Sequence, residues 1–343
     1  MSRNAHIPVS VVTGFLGSGK TTLINALLKS PDMGTAAVIV NEFGEIGLDN
    51  LLIESSSEDT ILLNSGCLCC TVRGDLVNTL NDLFIRRVKG DVPEFDRVVV
   101  ETTGLADPAP VLHTLMRDPV LFERYCVDGV ITVVDALNGE ATLNNHEEAV
   151  KQAAVADCLL VSKADLSGDW AALEKRLRAL NPSAAILEAD HGAVDPKHLF
   201  DVGVFDPTIK SPDVIGWLNA AAYDDDHHHH HDVNRHDASI RAFCVTRDEP
   251  ISGTAFNFLL ELLTEQRGED MLRVKGILYV AEYPDTPAVV HGVQHAFHPI
   301  QWLDAWPTAK RQTQMVFITR NMGPESVEPV LDALGAEAAR TLE

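Results

Sequence analysis

An apolar run, Pro8–Thr13, gives way to Gly14-Phe15-Leu16-Gly17-Ser18-Gly19-Lys20-Thr21, and a helix-forming stretch, Lys20–Lys29, follows at once. This is the pattern G-x-x-x-x-G-K-[ST], set between a buried strand and a helix start. Glycines there let backbone N–H groups turn inward around an anion, and the helix N-terminus adds its partial positive charge. Lys20 would reach the β- and γ-phosphates of a nucleotide, and the Thr21 hydroxyl would bind Mg2+. The expected phosphate contacts are Gly14, Gly17, Ser18, Gly19, Lys20, Thr21 and Thr22.

Strand-like and helical stretches alternate over the first 200 residues. Further strands are expected at Ala36–Asn41, Thr60–Leu63, Arg97–Glu101, Gly129–Asp135, Cys158–Ser162 and Ala184–Leu187. Helices are expected at Arg73–Val88, Glu147–Val155 and Trp170–Leu180. Such alternation builds a parallel sheet, and strands apolar along their whole length imply helices on both faces. From Asp206 to Asp237 the composition changes to Asp224–Asp226, His227–His231, Asp232 and His236, which offers almost nothing to bury and reads as a flexible linker. Beyond it come a strand at Ser239–Thr246, a helix at Ala255–Glu265, strands at Leu272–Ala281, Ala288–Phe297 and Met315–Thr319, and a helix at Glu325–Leu334. The expected class is α/β, a P-loop NTPase with a mostly parallel sheet, plus a smaller α+β C-terminal domain. The divisions fall at 1–206, 207–238 and 239–343.

A formal charge of −23 over 343 residues argues against nucleic acid, whose phosphates need a basic face, and against anionic membrane surfaces. No apolar run is long enough to span a bilayer, and no signal-like pattern opens the chain, so the cytoplasm is the expected compartment. The six cysteines are not expected to form structural disulfides there.

Ser162-Lys163-Ala164-Asp165, at the end of an expected strand, chooses among nucleotides. It resembles the N/T-K-x-D motif of GTPases, in which the aspartate accepts two hydrogen bonds from the guanine edge. Adenine offers no such donor pair and would leave the carboxylate unpaired. Serine stands where asparagine is commoner, which leaves the loop-bracing role of that position open. Glu101 ends Val98-Val99-Val100 and starts Glu101-Thr102-Thr103-Gly104, where a carboxylate would approach Mg2+ directly or through water. Gly104 would let the backbone meet the γ-phosphate. No glutamine follows it to orient the attacking water, so turnover is expected to be slow.

Cys67-Leu68-Cys69-Cys70, after Asn64-Ser65-Gly66, places three of the six cysteines within four residues. Thiolates are strong ligands for Zn2+ and Cu+, and a helix N-terminus would favour the ionised form. Three sulfurs need a fourth ligand to close a tetrahedral shell, or else leave a position open for transfer. Cys126, Cys158 and Cys244 stand alone and read as core.

Gly14–Thr21, Asn41-Glu42-Phe43-Gly44-Glu45, Gly66–Cys70 and Glu101–Gly104 with Ala106-Asp107-Pro108 resemble the CobW family, relatives of UreG and HypB among the metallochaperone GTPases. The resemblance covers nearly the whole chain, including a C-terminal segment similar to the CobW C-terminal domain. It implies GTP-dependent metal delivery, often of zinc, with Glu42 and Glu45 in the switch region and Glu42 a further candidate ligand. Thr102 stands where relatives often carry cysteine, and Val40 where some carry a glutamate implicated in metal binding.

His227, His228, His229, His230 and His231 could collect metal weakly, since imidazole binds Zn2+, Co2+ and Ni2+. His291, His295 and His298 read as surface residues, with the first two on one strand face. His191-Gly192 matches a family pair near the nucleotide. The expectation is a slow GTPase that carries GTP or GDP, Mg2+ and Zn2+. Lys20, Thr21 and Glu101 would act on phosphate, Lys163 and Asp165 on guanine, and Cys67, Cys69 and Cys70 on Zn2+. Its partner would be the apo-form of a client metalloprotein, and a homodimer is a further expectation. The rivals are a P-loop kinase or ATPase, a metal buffer or sensor, and a GTPase directed to cobalt or iron.

Overall fold

The computed structural model describes residues 6–33, 35–41, 61–65, 72–189, 193–200 and 239–341. Two compact units are present, one around each sheet. In the first, β1 (Ile7–Thr13) leads through the glycine loop to α1 (Lys20–Leu28), then β2 (Ala36–Asn41), β3 (Ile61–Ser65), α2 (Val72–Lys89) and β4 (Arg97–Glu101). It continues through α3 (Ala109–Arg117), α4 (Pro119–Phe122), β5 (Tyr125–Asp135), α5 (Gly139–Asn145) and α6 (Glu147–Ala154). The unit then adds β6 (Cys158–Ser162), α7 (Ala164–Ser167) and β7 (Ala185–Glu188), with α8 (Ala171–Leu180) between α7 and β7 along the chain.

The strands lie in the order β3-β2-β4-β1-β5-β6-β7, and every pairing is parallel. Chain order reverses at β1, which sits between β4 and β5; crevices at the carboxyl ends of such strands are where open α/β sheets take ligands. Covered strands need apolar side chains on both faces. Val9, Val11 and Val12 of β1, Val98, Val99 and Val100 of β4, and Leu159, Leu160 and Val161 of β6 are accordingly all buried. On one face Leu23, Ile24 and Leu27 of α1 pack with Val12, Val38, Val99 and Ile131.

β5 is longer than the expected Gly129–Asp135, because Asp128 reads as a break in an apolar run. The structure absorbs it at a shift in the pairing of β1 with β5. Its carboxylate is buried, accepts from Ser10 Oγ at 2.6 Å, and lies 3.8 Å from Arg97 Nη1. The helices α3, α4 and α5 were not expected either, although α3 and α4 carry readable start signals. The Asp107 carboxylate accepts from the Ala109 amide at 2.9 Å. Asp118 caps the Val120 and Leu121 amides, with Pro119 in the first turn.

Cys158 lies in the core, and burial, reinforced by the neighbouring Asp157 charge, pushes its thiol up to about 12. Cys126 and Cys244 are half-buried rather than core, which corrects their reading.

The second unit contains β8 (Ile240–Arg247), α9 (Gly253–Arg267), β9 (Met271–Leu278), β10 (Ala288–Val293), β11 (Ala296–Phe297), β12 (Gln301–Trp302), β13 (Thr313–Arg320) and α10 (Pro324–Thr341). Its sheet runs β11-β10-β9-β13-β8, with β12 also on β10 and the pairings antiparallel. Leu259 and Leu263 of α9 and Val327 and Leu331 of α10 share one core with Val245, Val274, Val290 and Phe317 of the sheet.

The expected single strand Ala288–Phe297 is instead a tight hairpin, turned at Gln294 with φ 49°. Period-two geometry therefore does not carry across it, and the histidines are not surface residues. His291 is buried with its ring 6.3 Å from that of His298, while His295 is half-buried with Nδ1 2.8 Å from the Thr264 carbonyl of α9.

Candidate functional site

The glycine loop leaves β1 at the carboxyl edge. Gly14 has φ 141°, and a Cβ there would stand 2.3 Å from the Val133 carbonyl, so a side chain is excluded by both conformation and space. Gly17, Ser18 and Gly19 complete the turn, with the Ser18 amide donating to the Phe15 carbonyl at 3.1 Å. Lys20 opens α1 buried, and its Nζ donates to the carbonyls of Gly14 at 2.8 Å and Phe15 at 3.2 Å. An ammonium inside its own loop, donating to these two carbonyls, is placed to trade them for phosphate oxygens.

Parallel pairing puts Val12 of β1 opposite Glu101 of β4, so the ends of the two strands adjoin. The Thr21 hydroxyl donates to Glu101 Oε1 at 2.9 Å, and Glu101 is only 4% exposed. A hydroxyl and a buried carboxylate in contact at the mouth of a phosphate loop form an oxygen donor set that suits Mg2+. Gly104 lies against the loop itself: a Cβ there would stand 2.7 Å from the Leu16 amide nitrogen.

Ser162, Lys163 and Asp165 approach the same loop from β6. Ser162 Oγ donates to the Ser18 carbonyl at 2.6 Å, so serine braces the glycine loop from this position. Lys163 adopts φ 57° and sends Nζ to the Gly17 carbonyl at 2.8 Å and to Asp135 Oδ2 at 2.7 Å. Asp165 sits exposed in the first turn of α7. A cavity of about 320 Å3 opens here, lined by Gly19, Thr22, Ser162, Lys163, Asp165 and Leu166 among others, with room for a purine.

Sequence reasoning missed Asp135. Burial works to raise its carboxyl, but hydrogen bonds from Lys163, Asn138 and the Leu137 amide outweigh that and hold it below the usual range. The available signal was an acid at the end of a strand, in the position that Glu101 occupies on β4.

Glu42, Glu45, Cys67, Cys69, Cys70, His191, Gly192 and His227–His231 lie outside the described residues. Among the described residues no group of three or more His, Cys, Asp or Glu side chains could hold a metal ion. The strand preceding the cysteines, β3, does end at the carboxyl edge, with Ser65 opposite Asn41.

Residues 8–188 match the family described as the CobW/HypB/UreG nucleotide-binding domain, and residues 240–334 match the cobalamin synthesis protein cobW C-terminal domain. The chain belongs to the CobW family. Among its relatives is the zinc chaperone YjiA of Escherichia coli K12, 32% identical over 328 residues, which span 96% of this chain and 98% of that protein. The zinc-regulated GTPase metalloprotein activator 1 of Schizosaccharomyces pombe is 35% identical over 198 residues, 55% of this chain and 47% of that one. The crystal structure of the Zn(II)-bound YjiA GTPase from E. coli superposes with a TM-score of 0.70 at 27% identity, covering 96% of this chain and 99% of that one. This CobW-family chain has no described helix long and apolar enough to cross a membrane.

Proposed function

We propose that the protein is a GTP-hydrolysing metallochaperone, which takes Zn2+ as cargo at Cys67, Cys69 and Cys70 and passes it to an apo-client under nucleotide control. The observation that carries the nucleotide half is the clamp of the Ser162–Asp165 segment onto the glycine loop through Ser162 and Lys163. It makes one continuous site of a phosphate cradle and a purine-sized cavity with a carboxylate on its wall. The metal half is supported by the relatives named for zinc and by the C-x-C-C spacing.

In this site Asp165 would accept from the guanine N1–H and amino group. Lys163 would keep the base wall attached to the phosphate loop. Lys20 would exchange the carbonyls of Gly14 and Phe15 for β- and γ-phosphate oxygens, and Gly104 would bring its backbone to the γ-phosphate. Thr21 Oγ1 would hold Mg2+, with Glu101 bound directly or through water; the ion supplies neutralisation of charge developing on the phosphates. Glu101 in turn keeps the Thr21 hydroxyl oriented.

The test is zinc transfer. Zn2+-loaded protein is mixed with an apo-acceptor of known affinity, and transfer is timed with GTP, with GDP and with a non-hydrolysable analogue. A rate that changes with the nucleotide supports a chaperone; a rate indifferent to all three leaves a passive metal buffer.

A further inference from the structure

Gln152, on α6, is fully buried, and its side chain reaches back to a segment forty-six residues earlier. Nε2 donates to the Ala106 carbonyl at 2.9 Å and lies 3.4 Å from the Gly104 carbonyl. Two carbonyls can be met only by the NH2 end of the amide, so the orientation of this side chain is dictated by its partners. The backbone of Gln152 is anchored too: its carbonyl accepts from Thr132 Oγ1 of β5 at 2.7 Å, and Thr132 pairs in register with Thr13, the last residue before the glycine loop.

The segment held in this way begins directly after Glu101. It has no regular structure until α3, and its internal tie is one turn, Ala106 amide to Thr103 carbonyl at 3.1 Å. Gly104 is packed on the Leu16 backbone of the glycine loop. A trans peptide directs its N–H and C=O oppositely, so drawing the Gly104 carbonyl toward α6 turns the Leu105 N–H the other way. The position of this backbone thus depends on a side chain outside every nucleotide motif in the sequence.

We propose that Gln152 is a positioning residue for GTP hydrolysis, a latch that holds the Gly104 backbone beside the γ-phosphate position. The proposal rests on the GTPase reading above and deepens it. The latch touches neither the base cavity nor Thr21 and Glu101. Its loss is felt where the γ-phosphate is present and not where only GDP is bound.

The test replaces Gln152 by methionine, which keeps the volume and removes both donors. The expected result is a kcat for GTP about tenfold below wild type, the effect of roughly one hydrogen bond's worth of free energy expressed at the transition state. Affinity for a non-hydrolysable GTP analogue should fall relative to GDP, while GDP affinity stays within about twofold of wild type. A merely structural role would weaken GDP and the analogue together. If Gln152→Met does not fold, Gln152→Glu is read the same way, since it keeps the shape and turns an acceptor toward the two carbonyls. Wild-type kcat with an unchanged analogue-to-GDP affinity ratio overturns the latch. Wild-type protein that binds GTP without turning it over would contradict the GTPase reading instead, and the affinity ratio alone would then decide the latch.

Discussion

Lys163 Nζ lies 2.7 Å from Asp135 Oδ2 and 2.8 Å from the Gly17 carbonyl, so a single ammonium joins the end of β5, the start of α7 and the glycine loop. Asp135→Asn removes the charge that fixes this lysine and should weaken GTP binding by about 1–3 kcal/mol, the usual worth of a hydrogen bond to a charged group. The pair also has an acid signature. The native Asp135 carboxyl is depressed, so its stabilisation is complete above the ordinary aspartate value and is lost as pH falls through the lower native one. Acid titration of the folded protein should show wild type losing part of its advantage over Asp135→Asn below about pH 4. Stability curves that stay parallel for the two proteins well below that pH would contradict the depressed Asp135 carboxyl.

The cavity wall at Asp165 gives a test of base identity. Asp165→Asn exchanges an acceptor for a group that can donate, which should cost GTP roughly 2–4 kcal/mol and improve binding of xanthosine triphosphate. Competition titrations with the two nucleotides measure the exchange. Unchanged GTP affinity in the variant means that another residue reads the base.

Much of this site was legible in the sequence because its motifs are local. The glycine loop and Ser162–Asp165 each sit where an apolar strand stops, and strand ends are what a parallel sheet brings together. What could not be read depends on partners distant along the chain. Ser162 braces the Ser18 carbonyl across 144 residues, and Gln152 meets Ala106 across 46. Asp128 hid the first four residues of a strand because its partners, Ser10 and Arg97, belong to other strands. The hairpin at Gln294 escaped notice because its turn lacks the glycine that usually marks a positive φ.

Thiol chemistry separates the cysteines. With its thiol pushed up to about 12, Cys158 stays protonated and should resist alkylation in the native protein. Rapid native labelling of Cys158, located by mass spectrometry, would show that the core around β6 opens. Cys69→Ser, by contrast, should weaken stoichiometric Zn2+ binding by more than the roughly 10–100-fold that loss of an outer-shell partner costs. Nucleotide affinity in metal-free buffer should be retained, and deletion of His227–His231 should remove only weaker sites. Equal losses from the two changes would place the primary site elsewhere.

Nucleotide control of the metal is open to a direct measurement. The cysteines follow β3, which ends at the same sheet edge as the glycine loop, and the chain between Asn41 and Ile61 connects the two strands that pair there. If γ-phosphate orders that connection, the sulfur positions shift, and a tetrahedral shell tolerates only about 0.2 Å in its bond lengths. Linkage then requires Zn2+ and nucleotide to alter each other's affinity by one common factor. The decisive measurement is Zn2+ affinity, by competition with a chromogenic chelator, for the GTP-analogue-bound, GDP-bound and nucleotide-free protein. Affinities differing by about 5–150-fold between the GTP-analogue and GDP forms are expected; equal affinities in all three states would contradict nucleotide-controlled delivery.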